Sequence, residues 1–269
     1  MSAICINSGF YNTKLVVGNE KHIFESAIQP SISLYDKNVV VIEGQKYVVG
    51  QGEHDITLDK TTNLTQMACI LYSLQRYGAY TDTIISCLPV DVYLNEEAKV
   101  NYEAMLKKFT PNIITAMEGH SAVLHDPNFY KGRLICLIDV GGLTINSMII
   151  DDGHLIKSTA QSIQLGTIIL NHKIKKYLQQ KDLVNVPEYQ VKYLAQTEAQ
   201  EVVEEYIEEL KSFFKRSGYP TNIEYRFIGG GALTYKDTFE KHFNAYISED
   251  AIWENVYGLK KLGEMLNVY

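Results

Sequence analysis

Five residues near the start of the chain, Ile6, Gly9, His22, Ser26 and Gln29, recur at a constant offset of 132 positions as Ile138, Gly141, His154, Ser158 and Gln161. In both copies an apolar run meets a glycine turn, a second apolar run follows, and a third begins at the histidine. That third run reads HIFESAIQ in the first copy and HLIKSTAQ in the second. A layout of three strands and a turn, repeated at a fixed spacing, points to internal duplication. The chain is therefore expected to build two similar lobes, each opening with a glycine-turned hairpin. Its 269 residues are enough for two lobes, since a chain of this size buries roughly 75% of the surface its unfolded form exposes.

Short apolar runs predict strands at 3–7, 13–18, 22–28, 39–42, 46–49, 83–88, 134–138, 145–150, 154–160 and 223–228. Helical periodicity covers 63–78, 94–109, 119–126, 167–180, 197–216, 235–243 and 250–266. Interleaved strands and helices make an α/β protein. The stretch 181–196, interrupted by Pro187, reads as a connection. The expected division is a first lobe of residues 1–132 plus 253–269 and a second lobe of 133–252.

Charge and cysteine usage narrow the functions available. A formal charge of −7 opposes direct nucleic-acid binding, which needs a basic footprint. Cys5, Cys69, Cys87 and Cys136 form no C-x-x-C pair, and three of them sit in apolar runs. They read as buried free thiols of a reducing cytoplasm. No apolar run approaches the ~18 residues of a membrane span, and the N-terminus lacks a signal-peptide pattern, so a soluble cytoplasmic protein is expected. The histidines form no metal site, and no serine or cysteine nucleophile pairs with His54.

Three glycine loops carry the chemistry. In LICLIDVGGLTINSMII, Asp139 ends an apolar strand and is followed by Gly141, Gly142 and Thr144. Glycines let the backbone turn sharply and present its N–H groups to an anion. A carboxylate at a strand tip is a ligand Mg²⁺ uses together with waters; an ordinary hairpin capped by Asp139 is the alternative. In EYRFIGGGALTY a strand runs into Gly229, Gly230, Gly231 and Ala232 ahead of a helix, so a ligand can approach the backbone closely. The first hairpin, INSGFYNTKLVV, then gives Lys14 a role as a positive charge reaching phosphates.

In this order the three loops resemble the nucleotide-binding fold of actin, Hsp70 and the sugar kinases. INSGFYNTK looks like the first phosphate loop, DVGGLTIN the second and FIGGGA the adenosine loop. AMEGHSAVLHD resembles the first connecting helix and WENVYGLKKLG the second connecting segment of the bacterial plasmid-segregating actins, the ParM/AlfA group and AlfA most of all. The resemblance implies a two-lobed, duplicated ribonuclease-H-like fold whose second-lobe insert subdomain (IIB) is reduced or missing.

It also implies roles by position. Ser8, Gly9, Phe10 and Tyr11 would offer backbone N–H groups to the phosphates, with Lys14 beside them. Gly141, Gly142, Leu143 and Thr144 would form the facing loop, and Asp139 would hold Mg²⁺ through water. Glu118 matches the carboxylate that activates the attacking water. Two positions depart from the pattern: Asn7 and Asn146 stand where relatives carry aspartate. The implied protein is an ATP- or GTP-hydrolysing filament former that moves plasmid DNA through a DNA-binding adaptor. A small-molecule kinase of the same fold, or a nucleotide-binding scaffold without turnover, are the rival readings.

Overall fold

The computed structural model describes residues 3–55, 57, 60, 62–78, 82–183, 185–220 and 222–269. The chain falls into two compact units, Met1–Pro127 with Trp253–Tyr269, and Asn128–Ile252.

The first unit opens with β1 (Ala3–Ser8), β2 (Asn12–Val17) and β3 (Glu20–Glu25). A small sheet follows, made of β4 (Ala27–Pro30), β5 (Val39–Ile42), β6 (Gln45–Val49) and β7 (Glu53–His54). The predicted strand 22–28 is thus two strands, broken at Ser26. Next come α1 (Leu64–Tyr77), β8 (Thr83–Leu88), α2 (Val90–Leu94), α3 (Glu96–Leu106), β9 (Asn112–Met117) and α4 (His120–His125). The main sheet has the order β3-β2-β1-β8-β9, with β1 antiparallel to β2 and parallel to β8. Alternation along β1 explains why the sheet is covered on both faces. Ile4 and Ile6 pack with Ile70 of α1 and Tyr102 of α3, while Ala3 and Cys5 pack on the opposite side.

The short α5 (Pro127–Tyr130) leads into the second unit. Here β10 (Leu134–Val140) and β11 (Ile145–Asp151) form the hairpin, followed by β12 (His154–Leu155), a 3₁₀ turn at Lys157–Thr159 and β13 (Gln161–Ile163). Helices α6 (Thr167–Gln180), α7 (Glu188–Thr197) and α8 (Gln200–Arg216) precede β14 (Glu224–Ile228), α9 (Gly229–Thr234), α10 (Lys236–His242) and β15 (Ala245–Tyr246). The sheet order β12-β11-β10-β14-β15 repeats that of the first unit. Its core joins Cys136, Ile138 and Val140 of β10 to Leu170, Ile174, Tyr206 and Leu210 of the helices.

Duplication is visible in the register as well as the order. Ile6 pairs with Leu15, and Ile138 with Ser147; Asn7 pairs with Lys14, and Asp139 with Asn146. Every such pair of the first hairpin maps onto one of the second at the offset of 132. The third strands break the match: His22 faces Leu15, whereas His154 faces Asp151, four positions out of step. The expected strand 154–160 is accordingly split by the 3₁₀ turn. The stretch 181–196, read as a connection, holds α7 instead. Its Val191 and Ala195 are buried against the core, so tertiary burial stabilises a helix that Pro187 merely starts.

The last helix, α11 (Glu254–Met265), belongs to the first unit and covers the face formed by Ala3, Cys5 and Val16 with Val256 and Leu259. It also crosses α4 closely. A Cβ on Gly258 would lie 1.7 Å from the Ser121 carbonyl oxygen. Gly258→Ala should therefore destabilise the chain by about 3 kcal/mol, the upper end of overpacking. Urea denaturation measures this, and an unchanged midpoint would show that the crossing tolerates a methyl.

Candidate functional site

The first hairpin turns so tightly that its glycine has no space for a side chain. Gly9 N–H donates to the Asn12 carbonyl (3.2 Å), and a Cβ on Gly9 would lie 2.8 Å from that oxygen. Lys14 curls over the turn, its Nζ 3.7 Å from the same point. Of the four expected N–H donors, that of Gly9 is thus engaged in closing the turn. Phe10 is buried, and Tyr11 stacks on His54 at 4.5 Å. His54, read from sequence as a loop residue, lies in β7 and accordingly supports the hairpin tip. Asn7 is 4% exposed, and among the described residues its Oδ1 finds no hydrogen-bond partner.

Helix α1 grips this hairpin through one amide. Ser8 Oγ donates to Gln66 Oε1, and Gln66 Nε2 donates to the Gly9 carbonyl (3.3 Å). Asn63 caps the helix by accepting from Gln66 N–H (2.9 Å), which fixes where Gln66 stands.

Glu118 lies just beyond β9 and is 7% exposed. Its N–H donates to the Leu88 carbonyl (2.7 Å), holding it to the end of β8. The chain then turns at Gly119, at φ 79°, into α4. Asn255 of α11 fastens that turn by accepting from Gly119 N–H and Ser121 Oγ, each at 2.9 Å. The Glu118 carboxylate meets Lys60, whose Nζ lies 3.1 Å from Oε1 and 3.0 Å from the Ser8 carbonyl. Lys60 is 1% exposed. Sequence reasoning missed both Lys60 and Gln66, since a lysine in LDKTTN looks solvated and a glutamine in a helix looks like surface.

In the second unit Gly141 N–H donates to the Thr144 carbonyl (2.9 Å), the same closure at the same offset. The loop's carbonyls then cap α6: Gly166, Thr167 and Ile168 N–H groups donate to Leu143, Gly141 and Gly142 at 2.9, 3.1 and 2.8 Å. This satisfies donors that a helix start otherwise leaves unpaired. It also requires Gly166, where a Cβ would lie 2.3 Å from the Gly142 oxygen. Leu143 and Thr144 are buried.

Asp139, 5% exposed, ends β10 directly beside the glycine run. Gly229 adopts φ 91°, and a Cβ there would meet Asp139 Oδ1 at 2.5 Å and the Val140 oxygen at 2.7 Å. Gly231 lies as tightly on Val140 and Thr167, and Ala232 is buried. Gly229 to Ala232 belong to α9 itself, although the sequence suggested a helix beginning only near 235. Tyr235, just past the run, walls a pocket of about 180 Å³ with Gln196, Gln200, Val203 and Thr238. The second unit thus gathers Asp139, the loop Gly141–Thr144 and the run Gly229–Ala232. Ser8, Gly9, Lys14 and Glu118 gather in the first unit.

The four cysteines are buried and free. Burial pushes the Cys69 thiol up to about 12 and raises Cys5 and Cys136 as well, so these thiols are inert at neutral pH. Among the described residues, no three acids, histidines or cysteines cluster as a metal site.

Two mixed sheets of matching order, each opening with a glycine-closed hairpin, define the actin-like class of α/β folds. Residues 6–123 match the family model for the N-terminal domain of actin-like proteins. The chain is similar to the archaeal actin homologue Ta0583 in complex with ADP, with 16% identity and a TM-score of 0.79 over 98% of this chain and 100% of that one. It is similar to MreB 5 of Spiroplasma citri bound to AMPPNP, with 15% identity and a TM-score of 0.76 over 99% and 97%. It is also similar to the subunit of a 15-stranded ParM filament from Clostridium botulinum, with 15% identity and a TM-score of 0.71 over 98% and 99%. No curated protein sequence matches it. These likenesses establish a two-lobed actin-like fold over nearly the whole chain.

Gly229→Ala should lower stability by about 2–4 kcal/mol, through the positive φ and the contact with the Asp139 carboxylate. A denaturation midpoint equal to the parent's would place Asp139 elsewhere.

Proposed function

We propose that the chain is an actin-like nucleoside triphosphatase that assembles into filaments on binding ATP or GTP and disassembles after hydrolysis. The carrying observation is that each copy of one hairpin ends its buried strand in polar groups beside a glycine-closed turn. Asn7, Ser8 and Lys14 stand there in the first unit, and Asp139 and Asn146 in the second.

In the first unit, the backbone of Ser8, Gly9, Phe10 and Tyr11 would face the phosphates, with the Lys14 charge beside them. Glu118 would orient the attacking water and accept its proton as the water oxygen bonds to the terminal phosphorus and the bond from that phosphorus to the bridging oxygen breaks, releasing the nucleoside diphosphate. In the second unit, Gly141, Gly142, Leu143 and Thr144 would line the phosphates. Gly229, Gly230, Gly231 and Ala232 would receive the adenosine or guanosine.

Within the second unit, the buried strand-end carboxylate of Asp139 fits Mg²⁺ held mainly by water and phosphate. Bound Mg²⁺ would neutralise charge developing on the phosphates.

The filament reading draws support from the ParM likeness, and nucleotide binding from relatives solved with ADP and AMPPNP. Between α6 and α8 the second unit inserts only α7, whereas the first inserts a four-stranded sheet. That asymmetry favours the short AlfA-like group, and with it plasmid segregation. An acidic chain would reach DNA through a separate basic adaptor. No helix among the described residues is long and apolar enough to cross a membrane, which suits a cytoplasmic filament. A filament scaffold that binds nucleotide without turnover is the second reading, favoured by Asn7 standing where relatives carry aspartate.

Sedimentation with and without ATP or GTP, with phosphate release followed in parallel, tests the reading. Nucleotide-dependent pelleting with release supports it; pelleting without release selects the scaffold, and no pelleting overturns assembly. Asp139→Ala should reduce Mg²⁺-dependent release by about 100-fold or more. Glu118→Ala should slow release about 100-fold while leaving nucleotide affinity nearly unchanged. Asn7→Asp should alter the Mg²⁺ concentration dependence of release; an identical titration would place Asn7 out of the metal's reach.

A further inference from the structure

Lys60 has no role in the scheme above, yet it is the most deeply buried charge near the first hairpin. Its ammonium makes two contacts with segments far apart in sequence, the Ser8 carbonyl (3.0 Å) and Glu118 Oε1 (3.1 Å). It also lies 5.3 Å from the centre of the Phe10 ring. One side chain therefore links the hairpin proposed to carry phosphate to the carboxylate proposed to activate water.

Stability alone is a poor account of this pair. Removing a lysine and a glutamate from water costs most of what their attraction returns, and apolar replacements of similar volume are often no less stable. Nor is Lys60 needed to hold the hairpin, because Gln66 already grips it at Ser8 Oγ and the Gly9 carbonyl. What Lys60 alone supplies, among these contacts, is a fixed spacing between hairpin backbone and carboxylate. The Glu118 backbone is fastened by its own N–H on Leu88 and by the following turn on Asn255. Those backbone bonds do not set the torsions of its side chain, which Lys60 contacts directly.

We infer that Lys60 is the positioning residue for Glu118: it ties the carboxylate to the first phosphate hairpin, so that the water-activating group and the bound phosphate share one frame. This rests on the hydrolytic reading above. Proton transfer in the transition state depends on such placement, and misplacement by about 1 Å costs on the order of 100-fold in rate. Ground-state binding, carried by hairpin backbone and Lys14, does not depend on it. Lysine suits the position because one compact ammonium can bond a carbonyl and a carboxylate together.

The test compares wild type, Lys60→Met, Lys60→Arg, Glu118→Gln and the Lys60→Met/Glu118→Gln double variant. Each is measured for affinity toward a fluorescent ATP analogue and for single-turnover phosphate release with Mg²⁺. Lys60→Met should keep affinity within about threefold and slow release at least about tenfold, with Lys60→Arg recovering much of the loss. The double variant should be no slower than Glu118→Gln alone, since a residue acting through Glu118 has nothing left to position. It also removes both charges together, so it folds even where Lys60→Met leaves a buried carboxylate unpaired. A merely structural lysine would instead add its own loss to that of Glu118→Gln, and that result overturns the inference. So does a Lys60→Met protein that releases phosphate at the wild-type rate. A wild type that binds nucleotide but releases no phosphate overturns the hydrolytic reading and the inference together, before any variant is compared.

Discussion

A Cβ on Gly9 would come within 2.8 Å of the Asn12 oxygen, and one on Gly141 within 3.0 Å of the Thr144 oxygen. This close approach of backbone to backbone sets the geometry on which the rest depends. The turn closes with a single N–H donor, and the strands on either side are then held in one register. Because side chains alternate along a strand, a slip by one residue would turn Ile6 or Ile138 away from its core. The same register that buries these residues also brings Asn7 opposite Lys14 and Asp139 opposite Asn146. Core packing and site geometry are therefore one constraint. The glycines pass it on to neighbouring elements: Gly166 lets the second loop cap α6, and Gly229 and Gly231 let α9 start against Asp139 and Val140.

Polar groups at the ends of buried strands are costly unless paired, and the structure pairs nearly all of them. Ser8 is taken by Gln66, Glu118 by Lys60 and the turn after Glu118 by Asn255. Asn7 Oδ1 is the exception at the hairpin. An unmet acceptor in a site otherwise satisfied is where a ligand or its bound water gains most, because its desolvation has already occurred in the folded protein.

The hairpins, the glycine run and Glu118 were legible in the sequence because each is local. An apolar run, a turn glycine and a polar residue fall within a few positions, and repetition at 132 marked two of them as the same device. What escaped depends on contacts across long separations. Lys60 in LDKTTN gives no local sign that it will be buried against residues 52 and 58 positions away. Strand β9 was overlooked because Thr115 interrupts its apolar run and its pattern is only half buried. Helix α7 was hidden by Pro187, which serves at a helix start as readily as in a loop. The third strand of the second copy looked equivalent because HLIKSTAQ keeps the letters of HIFESAIQ, but letters do not fix pairing, and the 3₁₀ turn shifts it.

The two copies differ where chemistry would want them to. At matched positions the first hairpin sets an amide opposite an ammonium, Asn7 and Lys14, and the second sets a carboxylate opposite an amide, Asp139 and Asn146. One inherited backbone thus presents a positive charge in one unit and a negative charge in the other. An aspartate at position 7 would pair with Lys14 across the strands and draw its charge away from any phosphate. Asparagine adds no opposing charge across from Lys14 and keeps a neutral oxygen at that strand end. Asparagine at 146 likewise leaves Asp139 as the one acid of that cross-strand pair. Under the proposed function the two asparagines would divide the work, the first hairpin facing anions and the second presenting the carboxylate for a cation.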